Sequence, residues 1–125
     1  MRLLIDTHIL LWWVGADDAL PRMAKELISN QNNTVFLSSV SMWEIWMKVS
    51  LGKLRLPADF EKRLTDEAFE PLPLTAEHAR GVGALEWHHR DPFDRMLVAQ
   101  ASLSRLRLLT ADAKMSAYGD PVLVC

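Results

Sequence analysis

The chain is poor in cysteine, has no long hydrophobic run and carries no excess of positive charge. Its one cysteine is Cys125. No internal disulfide can form, which fits a reducing cytoplasm. The longest apolar stretch near the N-terminus, residues 9–14, is far short of the ~20 residues that span a bilayer, so no membrane partner is expected. Asp6 interrupts the run Leu3-Leu4-Ile5 at once, so a secretory leader is not expected either. A formal net charge of −2 gives no general basic field, which counts against tight non-specific binding to nucleic acid. A metal ion can still supply positive charge locally at an acidic site.

Several chemistries lack their motifs. There is no H-x-x-x-H pair or cysteine cluster, which removes the usual zinc sites. There is no P-loop and no G-x-G-x-x-G fingerprint. Ser38, Ser39 and Ser41 do not sit in a G-x-S-x-G elbow, so serine hydrolysis has little support. Repeats, low-complexity tracts and long linkers are also missing.

What remains is an ordinary globular composition, 50% apolar and 24% charged. A chain of 125 residues has the size of one domain, expected to span 1–125 and to bury roughly two-thirds of its unfolded surface. Strands are expected at 2–6, 34–38, 107–111 and 121–124, with a weak edge candidate at 70–74 that holds two prolines. Helices are expected over 7–14, from Asp17 or Asp18 to about Asn30, over 39–51, from Pro57 to about Phe69, from Thr75 to Trp87, from Asp91 to about Arg105, and over 113–118. Strands alternating with helices predict an α/β fold with a mostly parallel sheet and helices on both faces.

The acids have a pattern. Asp6 ends the first strand and Asp112 ends the run Leu108-Leu109-Thr110-Ala111. Glu44 falls on the apolar face of Val40, Met47 and Leu51, and Asp94 shares the face of Leu97, Val98 and Ala101. Each has a plain structural alternative. Asp6, Asp91 and Asp112 have the residue type of helix N-caps, with Pro92 at the first helical position after Asp91. Asp94 would sit in the first turn, where the helix dipole favours a negative charge. Ser41-Met42-Trp43-Glu44 matches an S-x-x-E capping box, and Lys48 lies in good register to pair with Glu44. Yet in an open α/β sheet the carboxyl ends of the strands form the functional crevice. Acids gathered there repel unless a cation joins them, which predicts a divalent-metal site. Such a site suits phosphodiester chemistry, because a divalent ion activates water and stabilises charge on the phosphate.

The tryptophans Trp12, Trp13, Trp43, Trp46 and Trp87 are expected to be mostly core. Neighbours on one helix cannot all face inward, so one of Trp12 and Trp13, and one of Trp43 and Trp46, should lie near the surface as a partner contact. His8 reads as an ordinary helix residue, and His88 and His89 as residues of a solvent-facing turn.

Taken in order, the segments Leu3-Leu4-Ile5-Asp6-Thr7-His8, Ser39-Val40-Ser41-Met42-Trp43-Glu44-Ile45, the run from His89 through Asp91-Pro92-Phe93-Asp94-Arg95 to Ala101, and Leu109-Thr110-Ala111-Asp112 resemble the successive motifs of PIN-domain proteins. Within that family they look most like the VapC-type toxins of bacterial toxin–antitoxin pairs. The resemblance implies a PIN-like three-layer α/β/α sandwich and Mg²⁺- or Mn²⁺-dependent endoribonuclease activity. It implies Asp6, Glu44 and Asp94 as the core acids and metal ligands, with Asp112 as the less uniform fourth. Asp91, Thr110 and Thr7 become supporting residues. Arg95, beside Asp94, could pair with an acid or touch a phosphate; its alternative is a surface salt bridge. The implied partners are RNA, a cognate antitoxin whose tail occupies a groove beside the site, and a second copy in a homodimer; the pairs Trp12-Trp13 and Trp43-Trp46 offer aromatic surface that the antitoxin could cover. The competing reading is a non-catalytic PIN-like interaction module. A phosphatase would need a covalent nucleophile or a phosphate cradle, and a receiver domain a pair of acids after the first strand; neither pattern is present.

Overall fold

The computed structural model describes all of residues 1–125. In chain order the elements are β1 (Arg2–Ile5), α1 (Thr7–Val14), α2 (Arg22–Ser29), β2 (Thr34–Ser38), α3 (Ser39–Ser50), α4 (Phe60–Thr65), β3 (Glu70–Leu72), α5 (Ala76–Gly83), α6 (Pro92–Ser104), β4 (Arg107–Thr110), a 3₁₀ helix (Ala113–Tyr118) and β5 (Val122–Val124). The strands form one sheet in the order β3-β2-β1-β4-β5. Every pairing is parallel.

Alternation along the strands builds the layers. Leu4 and Leu108 face Phe93, Leu97 and Val98 of α6 together with Met115. Their neighbours Ile5 and Leu109 face the other way, toward Ile9 and Leu10 of α1, Ile45 of α3 and Phe60 of α4. Because β1 is covered on both sides, Leu3, Leu4 and Ile5 are fully buried, which is why that strand reads as an unbroken apolar run. The chain winds outward from β1 to β2 and β3, then returns to lay β4 on the other side of β1. The winding therefore reverses between β1 and β4, and a crevice opens beyond their carboxyl ends.

Most expected elements are present, and β3 with Pro71 is an edge strand as anticipated. Others differ for local reasons. α2 begins at Arg22, not near Asp17, with Pro21 at the N-cap; Asp17 instead closes its own turn by accepting from the Ala19 N–H at 2.8 Å. α4 starts at Phe60 after a turn in which the Phe60 N–H reaches the Pro57 carbonyl. α5 stops at Gly83 rather than Trp87. The carbonyls of Val82, Leu85 and Glu86 are taken by the Arg95 guanidinium. Finally, Ser41 is not a cap. Ser38 caps α3 through the Val40 N–H, leaving Ser41 inside the helix. The capping-box reading of Glu44 thereby falls, and the capping box of this chain is Thr75 with His78.

Candidate active site

β1 delivers Asp6 to the crevice and α1 fixes its orientation. The Asp6 N–H donates to the Leu109 carbonyl, continuing the β1–β4 ladder by one residue. Its Oδ1 then accepts the Ile9 N–H at 2.8 Å, so Asp6 is the N-cap of α1. Only 6% of Asp6 is exposed. Burial pushes its carboxyl above the ordinary range; the Thr110 hydroxyl, the Ile9 N–H and the charge of His8 oppose this, and the Glu44 charge adds to it. Capping and site membership were alternatives in the sequence; the cap is present, and it leaves Asp6 buried beside Thr110 and within the field of Glu44.

Glu44 enters from α3 and is also buried. Its Oε1 accepts from the Thr7 hydroxyl at 2.7 Å, and its Oε2 takes the Lys48 ammonium at 2.6 Å. The Thr7 oxygen also lies 3.1 Å from the Ser41 hydroxyl. One proton cannot serve two acceptors fully, so Thr7 donates to Glu44 and Ser41 donates to Thr7. A buried carboxylate requires such partners.

Asp94 comes from the first turn of α6. That turn is set by Asp91, whose Oδ1 accepts the N–H groups of Phe93 and Asp94 at 2.9 and 3.0 Å, with Pro92 at the first position. The Asp94 carboxyl is raised to about 6, first by burial and then by the negative charges of Asp91, Asp6 and Glu44; the nearby His89 imidazole works against this. Asp6, Glu44 and Asp94 thus stand at one end of the sheet, near enough to oppose one another's ionisation. Asp112 lies at the margin and is half-buried. It caps the 3₁₀ helix by accepting the Lys114 N–H. Its own N–H donates to the Thr110 hydroxyl, which in turn faces Asp6.

Other expected residues are placed differently. Arg95 neither meets an acid nor lies at the surface: it is 2% exposed. Its guanidinium donates to the carbonyls of Val82, Leu85 and Glu86 and to the Tyr118 hydroxyl. It holds the segment between α5 and α6 against the body of the protein. The tryptophans are not mostly core. Trp12 and Trp13 are both half-buried, while Trp43, Trp46 and Trp87 are exposed. Trp43 stands edge-on to Phe93 at a centroid distance of 5.0 Å.

His89 is the residue the sequence misplaced. It is turned inward, with Nε2 3.5 Å from Asp94 Oδ2 and Nδ1 2.6 Å from the Tyr118 hydroxyl. Because Arg95 already donates to the Tyr118 oxygen, the phenol proton is free to point at Nδ1. A neutral His89 then carries its hydrogen on Nε2, facing Asp94. Cys125 was likewise unread: its thiol donates to the Thr110 carbonyl and is raised by burial and then by the charge of Asp6.

The acids at this end of the sheet offer oxygen donors, the chemistry of a hard divalent ion such as Mg²⁺. No three acidic or histidine side chains form a closed cage for one. Mg²⁺ does not need such a cage, since it is commonly held by one or two carboxylates and keeps several waters. Asp6 and Asp94, both raised and neither paired with a lysine or arginine, are the residues that would hold it.

The model of the PIN domain matches residues 3–121, and the chain belongs to the PIN-domain family. No curated protein matches the sequence. Among solved structures it is similar to VapBC2 from Rickettsia felis bound to a promoter DNA fragment, with a TM-score of 0.74 at 16% identity over 100% of this chain and 98% of that one. It is also similar to a toxin–antitoxin complex from Klebsiella pneumoniae, with a TM-score of 0.69 at 21% identity over 98% and 96%. A third is FitAcB from Neisseria gonorrhoeae, with a TM-score of 0.70 at 19% identity over 97% and 96%. These likenesses establish the fold. No helix is long and apolar enough to cross a membrane.

Proposed function

We propose that this PIN-domain protein is a metal-dependent endoribonuclease, the toxin of a cytoplasmic toxin–antitoxin pair. The observation that carries the reading is the set of Asp6, Glu44 and Asp94 at the crevice, with Asp94 pushed up to about 6 partly by its acidic neighbours. Carboxylates held in mutual repulsion are matched to a cation that the protein itself does not provide at Asp6 and Asp94.

Asp6 and Asp94 would hold Mg²⁺ or Mn²⁺. When bound, such an ion lowers the pKa of water and offsets charge on the phosphate. The chain's own residues do the rest. The caps at Asp6 and Asp91 fix where the carboxylates stand. Thr7 and Lys48 hold Glu44 in place, and Asp112 steadies Thr110 beside Asp6. The similar structure from Klebsiella pneumoniae is a toxin–antitoxin complex, and another, from Mycobacterium tuberculosis, belongs to the VapBC family of toxin–antitoxin systems; both support a cognate antitoxin as partner here. The exposed Trp43 and Trp46 support α3 as part of the surface it covers, or of a homodimer contact.

One observation favours the competing reading of a non-catalytic interaction module. Glu44 already has its counter-ion in Lys48. The two readings separate on incubating purified protein with single-stranded RNA in Mg²⁺, Mn²⁺ or excess chelator. The nuclease cuts only with metal and loses activity in Asp6→Asn; a pure interaction module leaves RNA intact throughout.

A further inference from the structure

Trp87 lies in the irregular segment between α5 and α6 and is 74% exposed. A tryptophan is among the costliest side chains to leave in water and is highly buried on average. Its exposure here is not slackness. One face of the indole is backed by the Arg95 guanidinium, whose carbon lies 3.8 Å from the ring centroid. Arg95 is itself buried and tied to the carbonyls of Val82, Leu85 and Glu86 and to Tyr118. The ring is therefore held on an anchored base while its other side is left open.

That open side borders a cavity of about 750 Å³ lined by Trp87, His88, His89 and Arg90. The volume is within the range of small-ligand sites. The cavity carries an aromatic face, two imidazoles and a permanent cation. It lies next to the acids: His89, one of its lining residues, stands 3.5 Å from Asp94. An open π-face beside a permanent cation is the chemistry that receives a nucleotide: the base stacks and the phosphate meets the cation. A base can stack on a side chain only if it is free of its own helix, so the strand must be single at that point.

We propose that Trp87 is a stacking platform for an unpaired base of single-stranded RNA flanking the cleavage point, with Arg90 toward its phosphate. This rests on the nuclease reading for its placement, but the platform is tested separately. Binding of a fluorescein-labelled single-stranded RNA of about a dozen nucleotides is followed by anisotropy, using the full chain with Asp6→Asn to prevent cutting. Trp87→Phe keeps a ring over Arg95, whereas Trp87→Leu keeps apolar cover but offers no ring. Circular dichroism melting confirms that both variants are folded. Trp87→Leu is expected to weaken binding about 5- to 150-fold, the worth of one stacked base, while Trp87→Phe stays within about threefold of the parent. A blunt duplex of the same sequence is expected to bind weakly to all three. Equal affinities for the Leu and Phe variants, or a duplex bound as tightly as the single strand, would overturn the proposal.

With the acids intact, Trp87→Leu is expected to raise KM for RNA more than it lowers kcat. If the parent binds RNA through Trp87 but never cuts it, the platform stands and the nuclease reading falls. If the parent cuts and Trp87→Leu cuts with unchanged kcat/KM, the platform falls and the nuclease reading stands.

Discussion

The Lys48 ammonium lies 2.6 Å from Oε2 of Glu44, one helical turn away on α3. Glu44 is buried while the Lys48 side chain is 36% exposed, so the lysine spans from solvent to the crevice. It gives the acidic site one resident cation. Removing it by Lys48→Met would leave Glu44 buried with only the Thr7 hydroxyl. The expected loss is about 1–2 kcal/mol, below the cost of breaking a fully buried pair because Lys48 is partly screened by water. Glu44→Gln in the same background should recover part of it. Urea unfolding of the two single variants and the double variant checks this, and an unchanged midpoint in Lys48→Met would show the pair to be idle.

Stability should fall as the pH rises through the acid range. Asp94 is raised from 3.8 to about 6 in the folded protein, and Asp6 moves the same way. The folded state therefore binds these protons more tightly than the unfolded chain. Their contribution is fully present below the unfolded pKa and is lost as the pH passes from 3.8 toward about 6. For Asp94 the loss is on the order of 2 kcal/mol. Asp94→Asn should raise the pH 7 melting temperature by several degrees and flatten this dependence. Melting curves at pH 5 and pH 7 decide the point.

A divalent ion should act in the opposite sense. It favours the ionised carboxylates, so Mg²⁺ or Mn²⁺ should raise the pH 7 melting temperature in proportion to the logarithm of its concentration once above its dissociation constant. Asp6→Asn should abolish that increment. Equal stabilisation of the parent and Asp6→Asn would place the ion elsewhere.

Arg95 should prove structural. Lysine has one ammonium in place of a planar fork and cannot reach three carbonyls and the Tyr118 hydroxyl together. Arg95→Lys should cost about 2–3 kcal/mol by leaving buried acceptors unpaired. Hydrogen exchange should increase across residues 82–90. Full stability in Arg95→Lys would contradict the contacts described.

On α3, Trp46→Ala should leave the fold unperturbed, since the ring is exposed. Trp43→Ala should cost about 1 kcal/mol through loss of the Phe93 contact. On the proposed toxin reading, both should weaken association with a cognate antitoxin, as read by calorimetry. Unchanged affinity in both would place the partner surface elsewhere.

The fold was legible because its signals are local and agree with one another. The apolar runs of β1 and β4, the Asp91-Pro92 helix start and the prolines of β3 each announce an element without reference to the rest of the chain. The caps at Asp6 and Asp112 were equally visible, and their position at strand ends pointed to the crevice. What could not be read was long-range. Arg95 looks from the sequence like a neighbour of Asp94, but on a helix adjacent side chains diverge by about 100°, and the guanidinium leaves toward α5. His89 looks like turn filler until Tyr118, far along the chain, turns its imidazole onto Asp94. The tryptophans were misjudged because hydrophobicity alone says nothing of which face a neighbouring element covers.

The most direct test of the account is Mg²⁺-dependent cleavage of single-stranded RNA by the purified protein, set against Asp6→Asn and Asp94→Asn with the fold of each verified by circular dichroism. The account predicts defined RNA products from the parent, none in excess chelator and none from either variant, with both variants at least as heat-stable as the parent at pH 7. Cleavage by folded Asp6→Asn at the parent's rate, or by the parent in excess chelator, would contradict it.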